Sequence, residues 1–229
     1  MIQKPKLLIF ASGTPEEGGS GFENLVRAAA TGKLGAEIVG VVSNHPTGGV
    51  SKRALRLRVP FLHFPAPFTA PRCQEIVGVS EPHYVALSGW NKLVLGLDPK
   101  TTFNIHPAPL PRFGGKGMHG IHVHEAVLDA YRKGEITHSA VTMHFVTEEY
   151  DGGPVFFRLP IEIRPEDTPK TLQNRVKNAE HFYQPFVTDL VVRGNIRWDG
   201  KNPDTLERPP LSGKTLEISA RPTNSAGNW

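Results

Sequence analysis

Seven short apolar stretches punctuate this chain, and several of the intervals between them carry apolar residues at helical spacing. "KLLIFA", residues 6–11, is an almost unbroken apolar run closed by Ser-Gly. "AEIVGVVSN" (36–44), "VPFLHF" (59–64), "HYVALSG" (83–89), "TTFNIH" (101–106), "SAVTMHFV" (139–146) and "GPVFFRLPIEI" (153–163) read as further strands. Runs this uniformly apolar fit strands covered by helices on both faces. The helical segments are "GFENLVRAAATGK" (21–33), with Phe22, Leu25, Val26, Ala29 and Ala30 on one face, "VSKRALRLR" (50–58), "HVHEAVLDAYRKGE" (122–135) and the long stretch 168–194. Thr168 suits the N-cap of the last of these, and Pro169 its first turn. Strands alternating with helices imply right-handed crossovers. The expectation is an α/β, Rossmann-like chain with a mostly parallel central sheet of about seven strands and helices on both faces.

The 229 residues suffice for one large domain or two small ones. Hydrophobic residues at 38% and charged residues at 21% suit a globular protein. The division expected is a main domain over 1–199 and a polar segment, 200–229, forming a surface hairpin and a loose tail. A net charge of +4 is compatible with a small anionic ligand but needs none, and no block of Lys and Arg argues for nucleic acid. The first residues hold too short an apolar run for a signal-peptide core or a membrane span. Cys73 is the single cysteine, so no internal disulfide can form, and a reducing, cytoplasmic setting is expected. Cys73 itself reads as a loop residue.

Ligands of open parallel sheets bind beyond the carboxyl ends of the strands. Three polar segments fall there: "SGTPEEGGSG", "SGWNKLV" and "NIHPAPLP". The first is a glycine-rich turn entering a helix, suited to an anion, though equally to a plain flexible turn. In the third, Asn104 and His106 lie two apart on a strand and so project together, while Phe103 and Ile105 face the other way. Proline then forces the chain out of the sheet and stiffens the exit. In "TEEYDGG" (147–153), Asp151 precedes two glycines at a tight turn. An aspartate that orients and charges the imidazole, which then joins the amide in donating to an oxyanion, makes a usable set. No serine or cysteine is placed to complete a hydrolase triad, so the set suits attack by a substrate's own amine on a carbonyl carbon. His119, His122 and His124 make a zinc site conceivable, but their pattern is weak and no metal is expected.

"NIHPAPLP", "HFVTEEYDGGPV" and "AEHFYQP" together resemble the signature of the folate-dependent formyltransferases, with a likeness running from about residue 6 to 195. The resemblance implies transfer of the formyl group of 10-formyltetrahydrofolate, with no metal, to the primary amine of glycinamide ribonucleotide in purine biosynthesis, by a monomer or homodimer. It implies that Asn104 and His106 bind the formyl oxygen and that Asp151 supports a charged His106 and helps move the amine's proton. It assigns the substrate phosphate to Gly19, Ser20 and Gly21 and the ribose hydroxyls to Glu180. The pterin would rest against Trp90, Asn91, Lys92, Leu93 and Val94 and against Val146, Thr147, Glu148, Glu149, Tyr150 and Asp151, with Arg72 meeting the folate's acidic tail.

The sequence departs from that pattern in places. Thr14 to Gly18 are extra, Gly21 stands where asparagine is usual, Asn91 replaces a methionine, and Pro109 a leucine. The segment 112–120, with Gly114, Gly115 and Gly117, has the composition of a closing lid. Other readings are a formyltransferase for another amine, such as a sugar nucleotide, and a non-catalytic folate- or phosphate-binding module. A transfer-RNA formyltransferase is expected to add a C-terminal barrel, and a formylfolate hydrolase an N-terminal regulatory domain; neither is expected here.

Overall fold

The computed structural model describes residues 3–210. Its strands are β1 (Lys6–Phe10), β2 (Glu37–Ser43), β3 (Phe61–His63), β4 (Tyr84–Ser88), β5 (Thr102–His106), β6 (His138–Phe145) and β7 (Val155–Glu162). They form one sheet in the order β3-β2-β1-β4-β5-β6-β7. The pairs from β3 to β5 are parallel, and β5–β6 and β6–β7 are antiparallel. The expected α/β class and mostly parallel sheet are thus observed, with an antiparallel edge added.

The helices are α1 (Ser20–Ala30), α2 (Gly49–Leu57), α3 (Ala70–Gly78), α4 (Gly120–Arg132) and α5 (Pro169–Val192). Strand alternation divides the core. Leu7 and Ile9 of β1 face the larger cluster, which takes Phe22 and Leu25 of α1, Val127 of α4 and Val187 of α5. Leu8 and Phe10 face a smaller cluster with Val42, Phe64, Cys73 and Trp90. Cys73 corrects its sequence reading: it lies in helix α3, wholly buried, not in a loop. That helix escaped the sequence pattern because Cys73 is its one buried residue, so no apolar stripe marks it. Pro71, at the start of α3, suits a first turn but reads equally as a breaker.

The chain lays β2 and β3 on one side of β1, then returns to lay β4 and β5 on the other. The topological switch therefore falls between β1 and β4, where an open sheet leaves a crevice. The polar segment after α5 closes with a single antiparallel bridge, Arg197 to Glu207, around a 3₁₀ turn at Pro203–Thr205. The expected loose tail lies outside the described residues. Among the described residues no helix is long and apolar enough to cross a membrane.

Candidate active site

A cleft of about 630 Å³ opens at the carboxyl ends of β1, β4 and β5. Its far wall includes Asn104 and His106, which end β5 side by side as the two-residue spacing predicts and are 9% and 4% exposed. Asp151 approaches from the loop between β6 and β7. Its Oδ1 lies 3.8 Å from His106 Nδ1, 3.4 Å from Asn104 Nδ2 and 3.4 Å from His144 Nε2. Its Oδ2 accepts from Gly115 N at 2.9 Å. Asp151 has φ +53°, a left-handed backbone that side chains other than glycine's adopt only when their surroundings impose it. At Gly153 of the same turn a Cβ would stand 1.9 Å from the carbonyl oxygen of Phe145, so only glycine fits.

The proline-rich exit from β5 does more than stiffen. It returns to place the Phe113 carbonyl 2.7 Å from His106 Nε2. A carbonyl only accepts, so Nε2 carries the proton and Nδ1 faces Asp151. Burial pushes His106 below the ordinary histidine value, overriding the upward pull of Asp151 and the Phe113 carbonyl. This direction runs against the charged imidazole that the resemblance implies. For Asp151 itself burial acts upward, but His144 and His106, whenever the nitrogens facing it are protonated, and the Gly115 N–H pull the carboxyl below its ordinary value.

His144 escaped the sequence reading, although the stretch containing it was noted. It lies directly opposite Asn104 across the antiparallel β5–β6 pair. Its Nδ1 donates to the Phe145 carbonyl at 2.7 Å, leaving Nε2 to accept from the Asn104 amide at 3.1 Å while the ring is neutral. The amide nitrogen of Asn104 is therefore engaged by His144 and, at the longer distance, by Asp151. The 3.4 Å contact is the weaker of the two and the one a ligand oxygen can displace.

At the other end of the cleft the glycine-rich turn enters α1. Gly19 is the N-cap, with φ +80° and no capping side chain, so the first N–H groups of α1 face the cleft without one. The extra residues fold into a self-contained turn in which Thr14 Oγ1 accepts from Glu17 N at 2.9 Å. Arg53 of α2 donates to the Gly18 carbonyl at 2.8 Å and, with Arg27 and Arg56, surrounds Glu23. Arg53 is a second residue the sequence did not mark.

Gly19, Ser20, Gly21 and Glu180 line this cleft, as do Trp90, Asn91, Lys92, Leu93, Val94, Val146, Glu149 and Tyr150. The two loops meet where Leu93 N donates to Tyr150 Oη at 3.1 Å. Asn91 turns toward β1 and accepts from Ser12 Oγ at 2.8 Å. The Trp90 ring packs in the smaller core, stacked 6.2 Å from Phe64. Three expected residues are not brought here. Thr147 and Glu148 border a smaller neighbouring cavity, because the loop turns away between Val146 and Glu149. Arg72 lies outside the cleft, with its guanidinium 5.7 Å from the centre of the Phe64 ring. Nor do the three helix-start histidines converge. His122 is exposed, while His124 is buried with Nδ1 unpartnered and is pushed to about 4 by burial and then by His106. Among the described residues no group of three or more His, Cys, Asp or Glu is placed to hold a metal ion.

Residues 5–188 match the family model described as formyl transferase. The chain belongs to the formyl transferase family. Among its relatives is the chloroplastic phosphoribosylglycinamide formyltransferase of Arabidopsis thaliana, 34% identical over 207 residues, or 86% of this chain and 68% of that protein. The Vigna unguiculata protein of the same description is 31% identical over 86% of this chain and 64% of its own length. This formyltransferase thus spans about two thirds of the plant relatives. Among solved structures, glycinamide ribonucleotide transformylase 1 from Geobacillus kaustophilus is similar with a TM-score of 0.69 and 29% identity, over 83% of this chain and 100% of that one.

Proposed function

We infer that this chain transfers the formyl group of 10-formyltetrahydrofolate to the primary amine of glycinamide ribonucleotide, as the names of its relatives suggest. One observation carries the reading: the Asp151 carboxylate meets Asn104 and His106 in a cleft whose other end is a glycine-rich helix start. A phosphate suits the bare N–H groups of α1, and Glu180 lies farther along the same wall. The folate's heterocycle suits the strip formed by residues 90–94 and Val146, Glu149 and Tyr150. There the apolar residues Leu93 and Val94 line the cleft beside polar Asn91 and Lys92, the mixture common in small-molecule sites. The two ligands then meet at the Asn104–His106–Asp151 group.

The roles follow from the protonation states. A neutral His106 has an unprotonated Nδ1 turned to Asp151, in the region where the amine must lose a proton. Proton gain there makes an imidazolium beside a carboxylate already held ionised, so Asp151 stabilises the charge as it appears. Asn104, freed from its long contact with Asp151, donates to the formyl oxygen as negative charge builds on it. The cytoplasmic setting expected from the lone Cys73 belongs to the same reading.

Incubation with 10-formyltetrahydrofolate, with and without glycinamide ribonucleotide, tests it. Loss of the formylfolate absorbance should require the amine, and mass spectrometry should find the formylated product. Loss without the amine would mean hydrolysis, and no change would leave a binding module. His106→Ala and Asp151→Asn should each lower kcat by roughly 10²–10³ with melting temperature little changed. Near wild-type turnover in either variant overturns the assigned roles.

A further inference from the structure

A buried polar pair on the cleft wall has no part in the chemistry above. Ser88 ends β4, and Gln184 faces it from α5; they are 5% and 2% exposed, and both line the cleft beside Ser20 and Gly21. Gln184 Nε2 donates to Ser88 Oγ at 3.0 Å, while the contact from Ser88 Oγ to Gln184 Oε1 is 3.4 Å. One hydroxyl cannot lie in line with both the nitrogen and the oxygen of a single amide, so the shorter bond governs. It occupies a lone pair of the hydroxyl and leaves its proton only the long contact. Burying an amide and a hydroxyl costs more than burying apolar groups of the same size. The pair is therefore an expensive wall unless its free proton has a use.

Gly21 makes room for it. A Cβ at this position would stand 2.3 Å from Ser88 Oγ and 3.5 Å from Gln184 Oε1. The serine hydroxyl thus takes the place of any side chain at residue 21. It stands against the first turn of α1, where Gly19 supplies no capping side chain and the first intrahelical bond is Glu23 N to Gly19 O. A hydroxyl proton and several N–H groups converging on one end of a cleft complement an ester phosphate, which offers several acceptor oxygens at once.

We propose that Ser88, oriented by Gln184, is a specificity-determining donor for the phosphate-bearing amine substrate, and that Gly21 lacks a side chain so that this hydroxyl can reach the phosphate beside the α1 N–H groups. The proposal rests on the function inferred above. Gln184 acts through Ser88 and is a positioning residue.

Steady-state kinetics of the full chain at saturating formyl donor tests it. Ser88→Ala raises the KM for the phosphate-bearing amine about tenfold, the effect of one hydrogen bond to a charged group, with kcat within about threefold and donor KM unmoved. Gly21→Ala does the same in the wild-type background, because its Cβ displaces the hydroxyl. In the Ser88→Ala background it adds nothing, since the remaining Ser88 Cβ would be 3.6 Å from the new carbon. Calorimetric titration with inorganic phosphate, without folate, should show weaker binding in Ser88→Ala than in wild type. An unchanged KM together with unchanged phosphate affinity in Ser88→Ala, whatever its melting temperature, reduces the pair to packing and overturns the proposal. So does a further KM rise on adding Gly21→Ala to Ser88→Ala. If the wild type turns over no acceptor, the function inferred above fails, and the phosphate titration alone decides the role of Ser88.

Discussion

Two carboxyls in one cleft are driven in opposite directions. Asp151 is held low, despite its burial, by His144 and His106 whenever the nitrogens facing it are protonated and by a backbone N–H. Glu180 has only Lys177 to oppose desolvation, which pushes its carboxyl up to about 7. Glu180 is therefore largely neutral below that value and a carboxylate above it, and only the carboxylate accepts from both hydroxyls of a ribose diol. Ribose 5-phosphate, which has no amine to titrate, isolates the effect. Its affinity for wild type relative to Glu180→Gln should rise roughly tenfold from about pH 6 to pH 8, following the ionised fraction of a group with a midpoint near 7. The variant supplies the correction for the ligand's own ionisation. A ratio independent of pH, or one that falls, removes Glu180 from ribose recognition. The sequence made Asn104, His106 and Asp151 legible as candidates because a strand end and a Gly-Gly turn announce where polar groups point, whereas Glu180 came only through the resemblance. It did not reveal their charge, which depends on burial. His144 was hidden for a related reason. Its place opposite Asn104 is a matter of β5–β6 register, and a histidine in a largely apolar strand gives no sign of its partner.

Helix α5 carries one wall of the cleft on a start that is fastened by Asp167. This carboxylate accepts from Arg164 N at 2.8 Å and Thr171 Oγ1 at 2.7 Å, and from Arg175 at 2.6 and 2.9 Å through its two guanidinium nitrogens. Thr168 adds a reciprocal cap with Thr171. The cap was readable from "TPKT" alone, because local chemistry dictates it. Arg175, two turns along, was not, and neither was α3, whose burial depends on the sheet beneath it. Asp167→Ala leaves Arg175 without its buried partner and the Arg164 N–H without an acceptor, at a cost of about 3 kcal/mol, or roughly 6–12 °C in Tm for a chain of this size. The arginine lowers the folded-state pKa of Asp167 far below its unfolded value. The stabilisation is therefore complete above the ordinary aspartate value, and it fades as pH falls below about 4 toward the depressed one. Melts of wild type and variant should differ widely at neutral pH, and the gap should narrow steadily as pH falls below about 4. A gap that stays constant would show that Asp167 acts without its charge.

At the scale of the whole molecule, the parallel strands β1–β5 carry the cleft, and the antiparallel pair β6–β7 supplies the loop that brings Asp151 to it. The turn between β6 and β7 spans only residues 146–154, so Asp151 is held at both ends by paired strands. That edge has its own backing. Trp198 lies 5.8 Å from Phe145, ring centre to ring centre, and its Nε1 donates to the Asn202 carbonyl at 2.8 Å. Arg208 reaches back to the Phe156 carbonyl at 3.2 Å. The sequence suggested a boundary after residue 199, because composition turns polar there. Composition could not register that a polar segment holds Trp198 against β6 through the Asn202 carbonyl and reaches the Phe156 carbonyl of β7 through Arg208. We propose that the segment 200–210 folds as part of the main domain. A chain ended after residue 199 should melt about 2–6 °C below one ended after residue 210, the effect of losing one or two hydrogen bonds and the Arg197–Glu207 bridge. Hydrogen exchange should locate the loss in β6 and β7, with β1–β4 unaffected. Equal melting temperatures, or faster exchange spread evenly over the sheet, would restore the boundary after residue 199.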